Sequence, residues 1–161
     1  MSVSSSFAPD WLTPPADAND LVPGVWPSSA SRSATGEVEI AGIPVSDLAR
    51  TYGTPLYVVD EDEVRARARA ARTAFDAAAS AHGTTAHVYY AGKALLTTEV
   101  ARWVTEEGLA LDVCSAGELA VALAAGVDPR RLGYHGNNKS AGEITRAVEV
   151  GVASIIIDSD V

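Results

Sequence analysis

The sequence predicts an α/β fold of successive βα units, forming the N-terminal half of a (β/α)8 TIM-type barrel. Three observations predict it. From residue 86 on, four strand-like segments alternate with helix-like segments at a spacing of about 23 residues. The tetrapeptide SAGE occurs twice, at 115–118 and 140–143, each time between a strand and a helix. A glycine closes each helix in phase, at Gly108, Gly126 and Gly151. Units this short suit a barrel better than a sheet with long crossovers. A whole barrel takes eight units and about 250 residues, so these 161 residues hold about four units.

The elements follow in order. Residues 1–36 carry Pro9, Pro14, Pro15, Pro23 and Pro27, five of the eight prolines, and serines at 28, 29, 31 and 33. This composition predicts a largely extended or disordered leader, with Trp11, Leu12, Leu21, Val25 and Trp26 able to dock on a surface. Residues 37–161 form the partial barrel domain. EVEIAGIPV alternates over Val38 and Ile40 like a strand. A short helix over Ser46 to Tyr52 ends at Gly53, and PLYVVD (55–60) reads as a second strand. Asp60 with Glu63 fits a capping box, and the Ala- and Arg-rich residues 62–81 form a helix that stops at His82-Gly83. The repeating units are strands 86–91, 109–113, 131–135 and 153–158, and helices 97–107, 117–125 and 142–150. Ser115 with Glu118 and Ser140 with Glu143 are both S-x-x-E capping boxes. Four strands of an unclosed barrel leave open sheet edges, an aggregation liability unless covered.

Composition narrows the function. A net charge of -9 argues against nucleic acid, which needs a basic surface. No apolar run reaches the roughly 18 residues of a membrane span. The N-terminus lacks a basic segment followed by an apolar core, so no signal peptide is expected. Cys114 is the single cysteine and cannot make an internal disulfide, which suits a reducing cytoplasm.

In parallel βα architectures the functional groups gather at the C-terminal ends of the strands. Those ends carry Lys93, Asp112, His135 and Asp158, spaced by 19, 23 and 23 residues. Each has a plainer alternative. Lys93 can snorkel to the sheet rim. Asp112 can hold its loop by accepting backbone N–H groups. His135 can be an ordinary loop histidine, and Asp158 reads best as a cap of the next helix. Cys114 reads best as a small core residue. The lysine and aspartate on adjacent strand ends favour chemistry. Burial at an apolar mouth disfavours the charged ammonium, and a neutral amine forms Schiff bases. The Schiff base can be made with a carbonyl substrate or with pyridoxal phosphate, and spacing alone leaves both open.

The stretches TPLYVVDEDEVRARARA, YYAGKALLTTEVARWVTEEGLALDVCSAGELAVALAAGV and GYHGNNKSAGEITRAVEVGVASIIIDS closely resemble the N-terminal half of diaminopimelate decarboxylases, particularly actinobacterial ones. The wider group includes ornithine and arginine decarboxylases and the alanine racemase-like barrels. The resemblance covers about residues 36–161. It implies a pyridoxal-phosphate enzyme that converts meso-2,6-diaminopimelate to L-lysine and CO2 through a Schiff base on Lys93. Lys93 stands in the family's Ala-x-Lys pattern as Ala91-Gly92-Lys93, where Gly92 departs from the commoner Ala or Val. Asp112 and Glu118 match acidic positions near that lysine, and His135 opens the HGNNKS segment. All four are the cofactor-binding candidates, and no metal site is expected. The resemblance further implies a small amino-acid substrate, a cytoplasmic homodimer for the full-length family, and a fragment inactive alone. The family's later motifs and C-terminal β-domain have no counterpart up to Val161, so the strand Val38–Ile40, which normally joins that domain, is expected to be poorly ordered or unpaired. Three alternatives stand beside this reading: another pyridoxal-phosphate decarboxylase of the same group, a non-catalytic half-barrel that pairs with a partner chain, and a cofactor-free Schiff-base enzyme.

Overall fold

The structure is a computed structural model and describes residue 9 and residues 16–158. Trp11 and Leu12, expected to dock, lie outside the described residues. Two compact units divide between Tyr57 and Val58.

The first unit holds a three-stranded antiparallel sheet. Strand β1 (Ala30–Arg32) pairs with β2 (Val38–Ile40), which pairs with β3 (Ile43–Pro44). The expectation that Val38–Ile40 would be unpaired is therefore corrected: it is paired on both sides. The reason is local. Ser33 Oγ accepts the N–H groups of Thr35 (3.3 Å) and Glu37 (3.1 Å), and Arg32 Nη1 donates to the Gly36 carbonyl at 2.7 Å, so a tight turn folds β1 back on β2. This hairpin also runs through residue 36, where the leader was expected to end. Helix α1 (Val45–Tyr52) follows, and Glu37 Oε1 accepts the Ser46 N–H at 3.0 Å, satisfying one orphan donor of its first turn.

The expected strand at 55–60 is absent. Leu56, Tyr57, Val58 and Val59 are exposed and belong to no ladder. An apolar run becomes a strand only when a partner satisfies its backbone.

The second unit is the βα repeat. Its elements are α2 (Glu61–Ala81), β4 (Tyr89–Ala91), α3 (Thr98–Glu106), β5 (Ala110–Val113), α4 (Ala116–Ala124), β6 (Leu132–Tyr134), α5 (Ala141–Val150) and β7 (Ser154–Ile155). The strands form one parallel sheet in the order β4-β5-β6-β7. This is the βα succession of a TIM-type barrel, with β4 and β7 at the two edges. Asp60 caps α2 by accepting the Glu63 N–H at 3.2 Å. Gly108, Gly126 and Gly151 all have positive φ, as the in-phase glycines predict.

Strand register sorts the side chains onto two faces. Leu111 lies opposite Leu132, and Val113 opposite Tyr134. All four are fully buried and pack with Ala101, Leu119, Ala122 and Ala147 of the helices. The small alanines let the helices approach the sheet closely. The opposite face carries the row Ala91, Asp112, Gly133 and Ser154. That inner row, short-chained and polar, leads up to the C-terminal strand ends. Outside, Arg65 of α2 bridges Glu61, Glu106 and Glu107, and Arg69 adds a second bond to Glu107. Ion pairs at a partly solvated surface contribute about 1 kcal/mol or less each. They orient α2 on α3 more than they hold it there. No described helix is long and apolar enough to cross a membrane.

Candidate active site

The site is built on the turn that follows β4. A short 3-10 helix, Gly92–Ala94, carries Lys93. Gly92 is buried, and a Cβ placed on it would stand 2.8 Å from the backbone oxygen of Asp112 and 3.3 Å from Leu96 Cδ2. Only glycine lets the turn lie this close to β5. Tyr90 closes the turn by donating its hydroxyl to the Leu95 carbonyl at 2.8 Å, and burial pushes that hydroxyl's pKa up. Lys93 itself is exposed and makes no hydrogen bond or ion pair among the described residues. The expectation of an amine enclosed by an apolar mouth is not met within these four strands.

Asp112, His135 and Asp158 come together. Asp112 stands on β5 beside Ala91 of β4 and Gly133 of β6, with its side chain 20 % exposed. The missing side chain at Gly133 leaves Asp112 Oδ1 its place, 3.5 Å from where a Cβ would be. His135 follows β6 and is fixed there by its N–H bond to the Val113 carbonyl at 2.7 Å. Its Nδ1 lies 3.3 Å from Asp112 Oδ2, and its Nε2 lies 3.8 Å from Asp158 Oδ1. Asp158 thus faces His135, while the helix it was expected to cap falls outside the described residues.

Glu118 departs from the expected capping box. Ser115 accepts the Glu118 N–H at 3.2 Å, but Glu118 Oε2 accepts the Cys114 N–H at 2.7 Å instead of reaching back to Ser115. This draws the carboxylate inward, 3.5 Å from the Gly92 Cβ position and so beneath the Lys93 turn. In the second SAGE segment the box is complete, with Glu143 Oε2 accepting from both Ser140 N (2.9 Å) and Ser140 Oγ (2.8 Å). Cys114 is partly buried. Burial raises its thiol pKa, and Asp112 and Glu118 add to this against the opposing pull of Lys93 and Lys139. The thiol stays protonated at neutral pH, as suits a packing residue.

Two side chains that hold the loops of the candidate site escape sequence reasoning. Lys139 donates its ammonium to the carbonyls of Gly136 and Ile156, tying the loops after β6 and β7 that carry His135 and Asp158. Its place in HGNNKS was the available signal. Tyr90 gives no sequence signal, because its ring reads as a core position.

Residues 61–161 match the model of a family described as pyridoxal-dependent decarboxylase, pyridoxal binding domain. The chain belongs to the pyridoxal-dependent decarboxylases. It is 54 % identical over 139 residues to the diaminopimelate decarboxylase of Mycobacterium tuberculosis H37Rv, covering 86 % of this chain and 30 % of the relative. The Mycobacterium leprae enzyme of the same name is 50 % identical over 151 residues, covering 94 % and 30 %. Among solved structures, the diaminopimelate decarboxylase of M. jannaschii in co-complex with L-lysine superposes with a TM-score of 0.72 at 29 % identity, over 83 % of this chain and 30 % of that one. The chain thus spans about 30 % of the length of the decarboxylases it matches. Their barrel fold is the one that the four parallel strands and intervening helices follow.

Proposed function

We propose that this chain carries the lysine-bearing portion of a diaminopimelate decarboxylase. The reaction is conversion of meso-2,6-diaminopimelate to L-lysine and CO2, with pyridoxal phosphate bound at Lys93. The observation that carries this reading is the turn at Lys93. It places an exposed amine, without a hydrogen bond or ion pair among the described residues, at the C-terminal end of β4, with the Asp112 backbone and the Glu118 carboxylate next to that turn, in a chain 54 % identical to a decarboxylase of that name.

The residues present fit the cofactor. The small Ala91 stands on the inner row just before the turn, and among the described residues no hydrogen bond or ion pair must be broken to free the Lys93 amine. When bound, pyridoxal phosphate supplies an electron sink for the carbanion left as CO2 departs. The chain's own residues do the positioning. Gly92 and the Tyr90 hydroxyl hold the Lys93 turn. The Cys114 N–H fixes Glu118, and His135 fixes Asp112.

Lys93 and Lys139 are the only lysines in the chain, which gives the test an internal control. Pyridoxal phosphate followed by borohydride labels Lys93 and spares Lys139, whose ammonium is committed to two carbonyls. Labelling confined to Lys139, or equal at both, would sink the assignment. Release of CO2 from meso-2,6-diaminopimelate in preference to ornithine or arginine, by the chain joined to the remaining length of its relatives, tests the substrate. The same reading makes that longer protein a homodimer, and it places it in the cytoplasm, for which Cys114, the single cysteine of this chain, is the support in sequence.

A further inference from the structure

The end of the sheet opposite Lys93 holds a cavity of about 470 Å³. It opens at the starts of β4 and β5 and just before β6. Arg72, Arg130 and Arg131 line it with His87 and the Tyr89 ring, and Asp76 is the one carboxylate on its wall. Positive charge gathers here in a chain of net charge -9.

The three guanidiniums are anchored differently. Arg130 is paired with Asp128 at 2.7 Å, and Arg72 with Asp76 at 3.2 Å. Arg72 Nη1 also donates to the Glu107 carbonyl at 3.3 Å, passing over Gly108, where any Cβ would collide with the guanidinium. Arg131 makes no ion pair among the described residues, although it helps to hold the Asp128 carboxyl below its ordinary value. It is partly buried, and its Nη2 donates to the carbonyls of Thr105 (2.8 Å) and Leu109 (2.7 Å). Capping the end of α3 accounts for that one nitrogen. Arg131 Nε and Nη1 remain without a partner among the described residues. A guanidinium fork held by two carbonyls is already oriented to take an anion with two parallel bonds.

We propose that this cavity is a binding site for a phosphate group, separate from the Lys93 site, with Arg131 as its centre and Arg72 and Arg130 as its walls. The exposed Tyr89 ring on the same wall leaves room for an organic group on the phosphate.

Amide NMR of the 161-residue chain tests this, with inorganic phosphate and phenyl phosphate titrated against chloride at equal ionic strength. Saturable shifts are expected at the amides of Gly108, Ala110 and Arg131, with the amides around Lys93 unmoved. Tighter binding of phenyl phosphate assigns a phosphate monoester, and equal binding assigns free phosphate. Arg72→Gln and Arg130→Gln, both at exposed positions, each weaken binding about tenfold, the scale of one lost charge-assisted bond. Shifts no larger than those with chloride, or affinity unchanged in both variants, overturn the proposal.

Discussion

The carbonyl oxygen of Asp112 stands 2.8 Å from the point a Cβ on Gly92 would occupy. The Lys93 turn therefore rests directly on the backbone of β5. The blocking atom belongs to a strand paired on both sides, so it cannot swing away as a side chain does. Gly92→Ala must lift the turn. The expected cost is about 1–3 kcal/mol, as for other overpacked sites, read as a lower urea midpoint together with weaker pyridoxal phosphate labelling at Lys93. An unchanged midpoint and unchanged labelling would show that the turn is not seated on β5.

Tyr90 closes the same turn from the other side. Tyr90→Phe removes the bond to the Leu95 carbonyl and keeps the ring packed. One lost hydrogen bond costs about 1 kcal/mol, and for a domain of this size that lowers Tm by roughly 2–4 °C. Amide exchange of residues 93–96 should quicken more than that of β5. Uniform quickening across the sheet would assign the hydroxyl to global stability instead of to the turn.

What the sequence revealed and what it hid follow one physical line. The helices α2 to α5 are legible because their signals are local: caps at Asp60, Ser115 and Ser140, and glycines after the last turns. Strands are legible only as far as pairing agrees. Residues 56–59 have strand composition and find no ladder, whereas Ala30–Arg32, inside a Pro- and Ser-rich stretch, becomes a strand because Ser33 and Gly36 turn it onto β2. Lys93, Asp112 and His135 stand out as candidates by their spacing along the repeat. That Asp158 would meet His135 depends on how β6 and β7 pair, and that Glu118 would turn to the Cys114 N–H and away from Ser115 depends on the side chain's rotamer, neither of which spacing encodes.

The two SAGE segments make a controlled comparison. Ser115→Ala removes one cap bond and leaves Glu118 tied to the Cys114 N–H. Ser140→Ala removes the cap bond and also the hydroxyl that Glu143 accepts. Each loss falls within about 0.5–2 kcal/mol, the range for N-cap serines. The Ser140 variant is expected to be the less stable of the two in urea unfolding. A reversed order would mean that the reciprocal bond at Ser140 adds nothing.

Glu143 and Tyr134 bound stability at opposite ends of the pH scale. Hydrogen bonds from the Ser140 N–H and hydroxyl, then from the Ala116 N–H and the Tyr134 hydroxyl, hold the Glu143 carboxyl down at about 2. Its ordinary value is about 4.3. The folded state therefore binds this proton less readily than the unfolded one. Its stabilisation is complete above the ordinary value and is lost as pH falls through the interval down to about 2. Burial, then the Glu143 carboxylate 3.0 Å away, pushes the Tyr134 hydroxyl up to about 12. Its ordinary value is about 10, so its contribution is full below that value and is lost as pH rises through the folded one. Urea midpoints across pH check both arms. Glu143→Gln should flatten the acid arm and Tyr134→Phe the alkaline arm. A wild-type acid arm retained in the Glu143 variant would assign the loss to other carboxylates.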